Sequence, residues 1–178
     1  MNTLIVYYSF TKNNELLAKQ LQQRLGGDIF KIETLKRRSV FSIFLDLLFK
    51  RKPSIRKHQL PLRDYDQMVF IAPIWAGKIA GPLVTFLNEE KSNIRRYAFI
   101  SLCGGGIGQQ EKIELQLLDI LSHAPEKVTE LWISELTSSD NKKNVTTVSQ
   151  YRIQQEDLLK YKNKIDDFCN AIQGELVE

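Results

Sequence analysis

Three short stretches hold residues whose types and spacing could do chemistry. The first is Ser9-Phe10-Thr11-Lys12-Asn13-Asn14, a cluster of hydroxyls, amides and one cation between an apolar run and an amphipathic one. A strand that feeds a helix through such a turn aims free backbone N–H groups, and the positive end of the helix dipole, at one spot. That arrangement suits an anion such as a phosphate, although the same residue types also serve as ordinary helix caps. The second stretch, Pro73-Ile74-Trp75-Ala76-Gly77, offers a large flat aromatic on a rigid proline base, with a glycine free to adopt unusual dihedrals. The third, Cys103-Gly104-Gly105-Gly106, is rich enough in glycine for backbone to approach a flat ligand closely.

The elements around these stretches decide whether they meet. Leu4 to Tyr8 is a run of β-formers, and Leu17, Leu21 and Leu25 after it predict an amphipathic helix ended by Gly26-Gly27. Asp28 to Glu33 reads as a short strand. Gln67 to Ala72 is nearly continuously apolar, as in a strand buried on both faces. A helix follows with Pro82 near its start and Leu83, Phe86 and Leu87 on one side. Tyr97 to Leu102 reads as a fourth strand, then a helix with Ile113, Leu117 and Leu121 inward, broken by Pro125. Lys127 to Ile133 gives a fifth strand, and residues 134–150 read as a polar loop. The last helix carries Leu158, Tyr161, Ile165, Phe168 and Ile172 on its buried side.

Five strands alternating with helices predict an α/β protein built on an open parallel sheet covered on both faces. Ligands of such sheets sit outside the carboxyl ends of the strands, at the switch point. The turns after the first, third and fourth strands lie on that edge, and they are the three stretches above. Together they describe a site for a planar ring with a phosphorylated tail.

Other chemistries lack their residues. His58 and His123 lie far apart and beside no cysteine pair, so no metal site is expected. No Ser-His-Asp set is suggested, and the glycines are not followed by the Lys-Ser or Lys-Thr of a Walker loop. Cys103 has no basic neighbour and reads as a small buried residue rather than a nucleophile. No catalytic acid or base is assigned.

With 178 residues, 43% apolar and 26% charged, the chain reads as one domain over 1–178 with an embellishment at about 35–61. Two cysteines make no disulfide framework, and neither a signal peptide nor a membrane-spanning run is legible; a cytoplasmic location is expected. The net charge of +4 is unevenly spread: residues 31–64 hold ten Lys or Arg against three Asp or Glu, leaving the rest of the chain at −3. Nucleic-acid binding by the whole surface is therefore not indicated. Within the basic segment, Phe41 to Phe49 is apolar nearly all round and is expected to be a helix packed on the sheet, with surplus apolar surface for a homodimer contact. The weighed alternative is a helix on a membrane surface or a partner.

The chain resembles the flavodoxin family along nearly its whole length. The likeness rests on Ile5-Val6-Tyr7-Tyr8-Ser9-Phe10-Thr11, Tyr65-Asp66, Pro73-Ile74-Trp75-Ala76-Gly77 with Pro82 and Phe86-Leu87, and Cys103-Gly104-Gly105-Gly106. The resemblance implies a three-layer fold with a five-stranded parallel sheet of order 2-1-3-4-5, and FMN as cofactor. It implies that Ser9, Phe10, Thr11, Lys12, Asn13 and Asn14 form the phosphate turn. Trp75 would stack on the flavin, with Pro73, Ile74, Ala76 and Gly77 around it, and Cys103 to Gly106 would border the pyrimidine side. Lys12 stands where the family usually has Gly, and Asn14 where it usually has Thr. The third turn also lacks the aromatic that covers the second flavin face in electron carriers. An open face and a basic segment favour an oxidoreductase acting on a small acceptor such as a quinone, with NAD(P)H or a redox protein as donor. The alternatives are an electron carrier to a protein partner and a flavin-free interaction module.

Overall fold

The computed structural model describes residues 1–49, 51–137 and 145–174. Five parallel strands form the sheet: β1 (Thr3–Tyr7), β2 (Asp28–Lys31), β3 (Gln67–Ile71), β6 (Tyr97–Cys103) and β7 (Val128–Trp132), in spatial order β2-β1-β3-β6-β7. A two-stranded antiparallel hairpin, β4 (Ile74–Trp75) and β5 (Lys78–Ile79), follows β3. Apart from the numbers this hairpin takes up, the order is the expected 2-1-3-4-5.

The register explains the apolar runs. β1 lies between β2 and β3, with Leu4↔Asp28 and Leu4↔Met68 as partners, so both of its edges are paired, and with a core on each face every residue is buried. β3 and β6 are buried throughout as well. Side chains alternate across the sheet and feed two separate cores. Leu4, Val6, Met68, Phe70 and Phe99 point to one, with Leu83, Phe86, Ile113 and Leu117 from helices α3 (Gly81–Glu90) and α4 (Gln109–Leu121). Ile5, Val69, Ile71 and Ile100 point to the other, with Leu17 and Leu21 of helix α1 (Asn13–Leu25) and Ile165, Phe168 and Ile172 of helix α6 (Lys162–Gln173). The helical spacings read from the sequence thus place their apolar residues inward, and Pro82 sits in the first turn of α3 as its missing N–H permits.

Three expectations need correction. The chain from 134 to 150 is not simply a loop: a 3₁₀ turn spans Ile133–Glu135 and helix α5 spans Val145–Gln150, while residues 138–144 lie outside the described residues. The last helix is not continuous: Leu158 and Tyr161 lie on a 3₁₀ turn, Glu156–Tyr161, that precedes α6. Its three-residue repeat still brings both inward.

The third correction is larger. Helix α2 (Val40–Phe49) forms, but it does not pack its apolar surface on the sheet. Ile43 is its one buried residue, and none of its residues belongs to either core. It is the following segment that reaches the α3/α4-side core, through Ile55, Leu60 and Leu62, while His58 rests against Phe30 and Phe86 at 5.2 and 5.1 Å between ring centres.

Candidate functional site

The three chemically unusual turns converge at the carboxyl edge of the sheet, and named bonds hold them there. Ser101 Oγ donates to the Ala72 carbonyl at 2.7 Å, tying the end of β6 to the end of β3. Ladder pairing between these strands stops at Ile71↔Ile100. Beyond it the Asn14 side chain substitutes for a strand: its Oδ1 accepts from the Leu102 N–H at 2.9 Å and its Nδ2 donates to the Leu102 carbonyl at 3.1 Å. Asn13 does the same for the segment after α5, donating to the Tyr151 carbonyl at 3.0 Å and accepting from the Ile153 N–H at 3.2 Å. Both amides are buried. Neither side chain is therefore free for a ligand, and what Asn13 and Asn14 keep to offer an anion is backbone.

That backbone is well placed. Tyr8 N–H still joins the sheet, donating to the Ile71 carbonyl, and the first N–H used within α1 is that of Leu16, which donates to Lys12. From Ser9 to Glu15 no backbone N–H has a partner among the described residues. These are the orphan donors of a strand end and a helix start. The Ser9 hydroxyl is buried and also has no partner among the described residues. Lys12 adopts a left-handed φ of 70° immediately before the helix, which explains why glycine suits that position. Its ammonium group is exposed and unpaired among the described residues, so it adds positive charge at the helix N-terminus. Nearby, Glu15 would be pushed up by burial, but Lys19 at 3.1 Å and Lys31 at 3.6 Å hold its carboxyl below the usual range.

The second turn is the β4–β5 hairpin. Ala76 and Gly77 both have positive φ, 49° and 72°, as a two-residue hairpin of the primed type demands. The hairpin carries Trp75 half-buried, with Tyr8 and Phe10 meeting its ring edge-on at 6.1 and 6.2 Å. These contacts join the second turn to the first. Pro73 accepts from the Ala80 N–H at 3.0 Å and closes the base of the hairpin. Ile74 is buried in the core.

In the third turn Cys103 is buried, and desolvation with help from the Glu130 charge pushes its thiol up to about 12. It is a protonated packing group, receiving a weak bond from Gln109 Nε2 at 3.5 Å. Gly105 is a glycine for a reason the sequence concealed. Its φ is 86°, and a Cβ there would stand 2.6 Å from the Trp132 ring. The close approach is to this chain's own indole. Gly104 is exposed, Gly106 is partly so, and Ile107 projects fully into solvent. Trp132, held by a 2.8 Å bond from its Nε1 to Glu130, is the residue that sequence reasoning missed. Its position at the carboxyl end of the last strand was the available signal.

Of the expected residues, the structure gathers Ser9, Phe10, Thr11, Lys12, the Asn13 and Asn14 backbone, Trp75, Ala76 and Gly77 on one edge, with Cys103 to Gly106 alongside. The donor set fits a phosphate, since it combines unpaired N–H groups, an orphaned hydroxyl and a free cation at a helix start.

No family model matches the chain, and no curated protein does. Solved structures do match its fold. A flavoprotein from Lactobacillus acidophilus NCFM, solved in complex with FMN, superposes with a TM-score of 0.63 at 16% identity, covering 84% of this chain and 99% of that one. A flavodoxin, WrbA-like protein from Agrobacterium tumefaciens matches at 0.53 and 12% identity, over 98% and 99% of the two chains. Oxidised Flavodoxin 1 from Bacillus cereus matches at 0.51 and 14%, over 99% of each. The chain has the flavodoxin-like fold.

Proposed function

We propose that the chain binds FMN at this edge of the sheet and acts as a flavin-dependent oxidoreductase that passes electrons or hydride to a small acceptor such as a quinone. The observation that carries the reading is the buried Ser9 hydroxyl, without a partner among the described residues, within a run of N–H groups likewise unpaired among them at the start of α1. A buried polar atom without a partner is costly unless something supplies one, and a phosphate oxygen does so. Two fold neighbours point the same way: one was solved with FMN, and another is a flavodoxin.

Bound FMN would supply the redox chemistry itself, which the fold only positions and tunes. The residues of the chain have simpler tasks. The Ser9–Asn14 turn holds the phosphate through N–H groups, the Ser9 hydroxyl and the Lys12 charge. Trp75 provides the stacking surface, and the Ala76–Gly77 turn leaves backbone at the ring edge. Cys103 stays protonated and adds no nucleophile. The third turn itself contributes Gly104 and the solvent-projecting Ile107 and no aromatic side chain, with the Trp132 ring lying against Gly105; a flavin face left open there would admit a second planar reactant. That favours turnover with a small acceptor over shielded electron carriage.

The test is a titration of the purified protein with FMN, followed by absorbance and flavin fluorescence, then NAD(P)H oxidation with a quinone acceptor. Saturable binding with steady turnover is expected. Trp75→Ala should weaken FMN binding by at least about 1 kcal/mol, the order expected for lost aromatic stacking. Absence of binding refutes the cofactor assignment, and unchanged affinity in the variant refutes the placement of the ring.

A further inference from the structure

Helix α2 has its amphipathicity inverted relative to an ordinary surface helix. Val40, Phe41, Phe44, Leu48 and Phe49 are 73, 70, 57, 60 and 57% exposed. At 100° per residue these positions fall on one half of the helix, and no charged residue interrupts them. The opposite side faces the protein through buried Ile43 and through Asp46, the only acidic residue of the helix, which is ion-paired to Arg38. The outward face is an uninterrupted apolar patch of several hundred Å², on the order of two or three aromatic side chains' worth of area.

We propose that this face of α2 docks the protein on an anionic lipid bilayer. Charge selects that occupant. Lys36 and Arg37 before the helix and Arg51, Lys52, Arg56 and Lys57 after it are all exposed, and residues 31–64 carry a balance of +7. Arg51 lies over the Phe49 ring at 5.0 Å, its cation at the border of the apolar face. Apolar side chains with cations at their margin match the boundary between acyl chains and acidic headgroups. A second copy of the chain fits worse, because a two-fold contact through α2 would bring two such basic segments together.

The polar face that a free interfacial helix needs is absent here because the rest of the protein takes its place behind Ile43. The docking itself does not depend on the flavin reading.

Vesicle sedimentation tests it, with the full chain as purified and again after addition of FMN. Vesicles of phosphatidylcholine alone are compared with vesicles containing about one-third phosphatidylglycerol. Binding to the anionic vesicles, falling with added salt and indifferent to FMN, is expected. Phe44→Asp with Leu48→Asp should abolish it without shifting the denaturation midpoint, since both residues are mostly exposed. Lys36→Ala with Arg37→Ala should weaken it roughly tenfold or more. Failure to sediment with anionic vesicles at low salt overturns the proposal, as does binding indifferent to lipid charge. A dimer that the Phe44→Asp, Leu48→Asp variant dissociates, without vesicle binding, assigns the face to a second copy and also overturns it. FMN binding measured on the same samples reports separately on the proposed flavin site.

Discussion

Replacing Asn14 by alanine removes two buried hydrogen bonds at once. The side chain is 2% exposed and serves both the N–H and the carbonyl of Leu102, beyond the point where β3 stops pairing with β6. Truncation leaves a buried donor and a buried acceptor without partners, at about 1–3 kcal/mol each, or about 2–6 kcal/mol together. That is a large part of the net stability of an ordinary domain. With a urea slope of roughly 2 kcal/mol/M, the unfolding midpoint should fall by about 1–3 M. Asn13→Ala is the natural comparison. Its bonds hold only the Tyr151–Ile153 segment, so it should cost about 1–2 kcal/mol and loosen that segment to proteolysis. Equilibrium urea denaturation followed by circular dichroism measures both. If Asn14→Ala shifts the midpoint no more than Asn13→Ala, the strand-like role of Asn14 is wrong.

Three further outcomes follow from the geometry. Gly105→Ala meets a positive φ and the Trp132 ring together, and should cost about 1–3 kcal/mol while changing Trp132 fluorescence; an unperturbed emission spectrum would refute the contact. Cys103, buried and with its thiol pushed up to about 12, should resist iodoacetamide at pH 8 in the native state and react only on unfolding, as followed by mass spectrometry. The Asp166 carboxyl is held below its ordinary 3.8 by Lys162 and Arg24. A lowered folded pKa gives a stabilising contribution that is complete above the unfolded value and is lost as pH falls through the folded one. Wild-type urea midpoints should therefore drop below about pH 4 more steeply than those of Asp166→Asn, and parallel curves would count against the ion pairs.

The sheet and its order were legible because parallel strands buried on both faces must be apolar throughout, and the helices between them must repeat their leucines every three or four residues. That the three turns share one edge of the sheet followed from connectivity alone. The turn residues were legible as types: Lys12 occupies the left-handed position the loop requires, and Ala76-Gly77 turn the hairpin.

What the sequence concealed are the contacts made across it. Asn13 and Asn14 read as ligand-facing amides, yet their side chains are turned inward to backbone groups more than eighty residues away. The triple glycine read as space for a ligand, yet Gly105 is kept free of a side chain by Trp132. Helix α2 read as a core element because its composition is apolar, yet the segment holding Ile55, Leu60 and Leu62 takes the core position and leaves α2 outside. Local spacing along the chain determines which residues share a face, but which face the core accepts depends on competition among distant segments for the same volume. That competition was settled only in the folded protein.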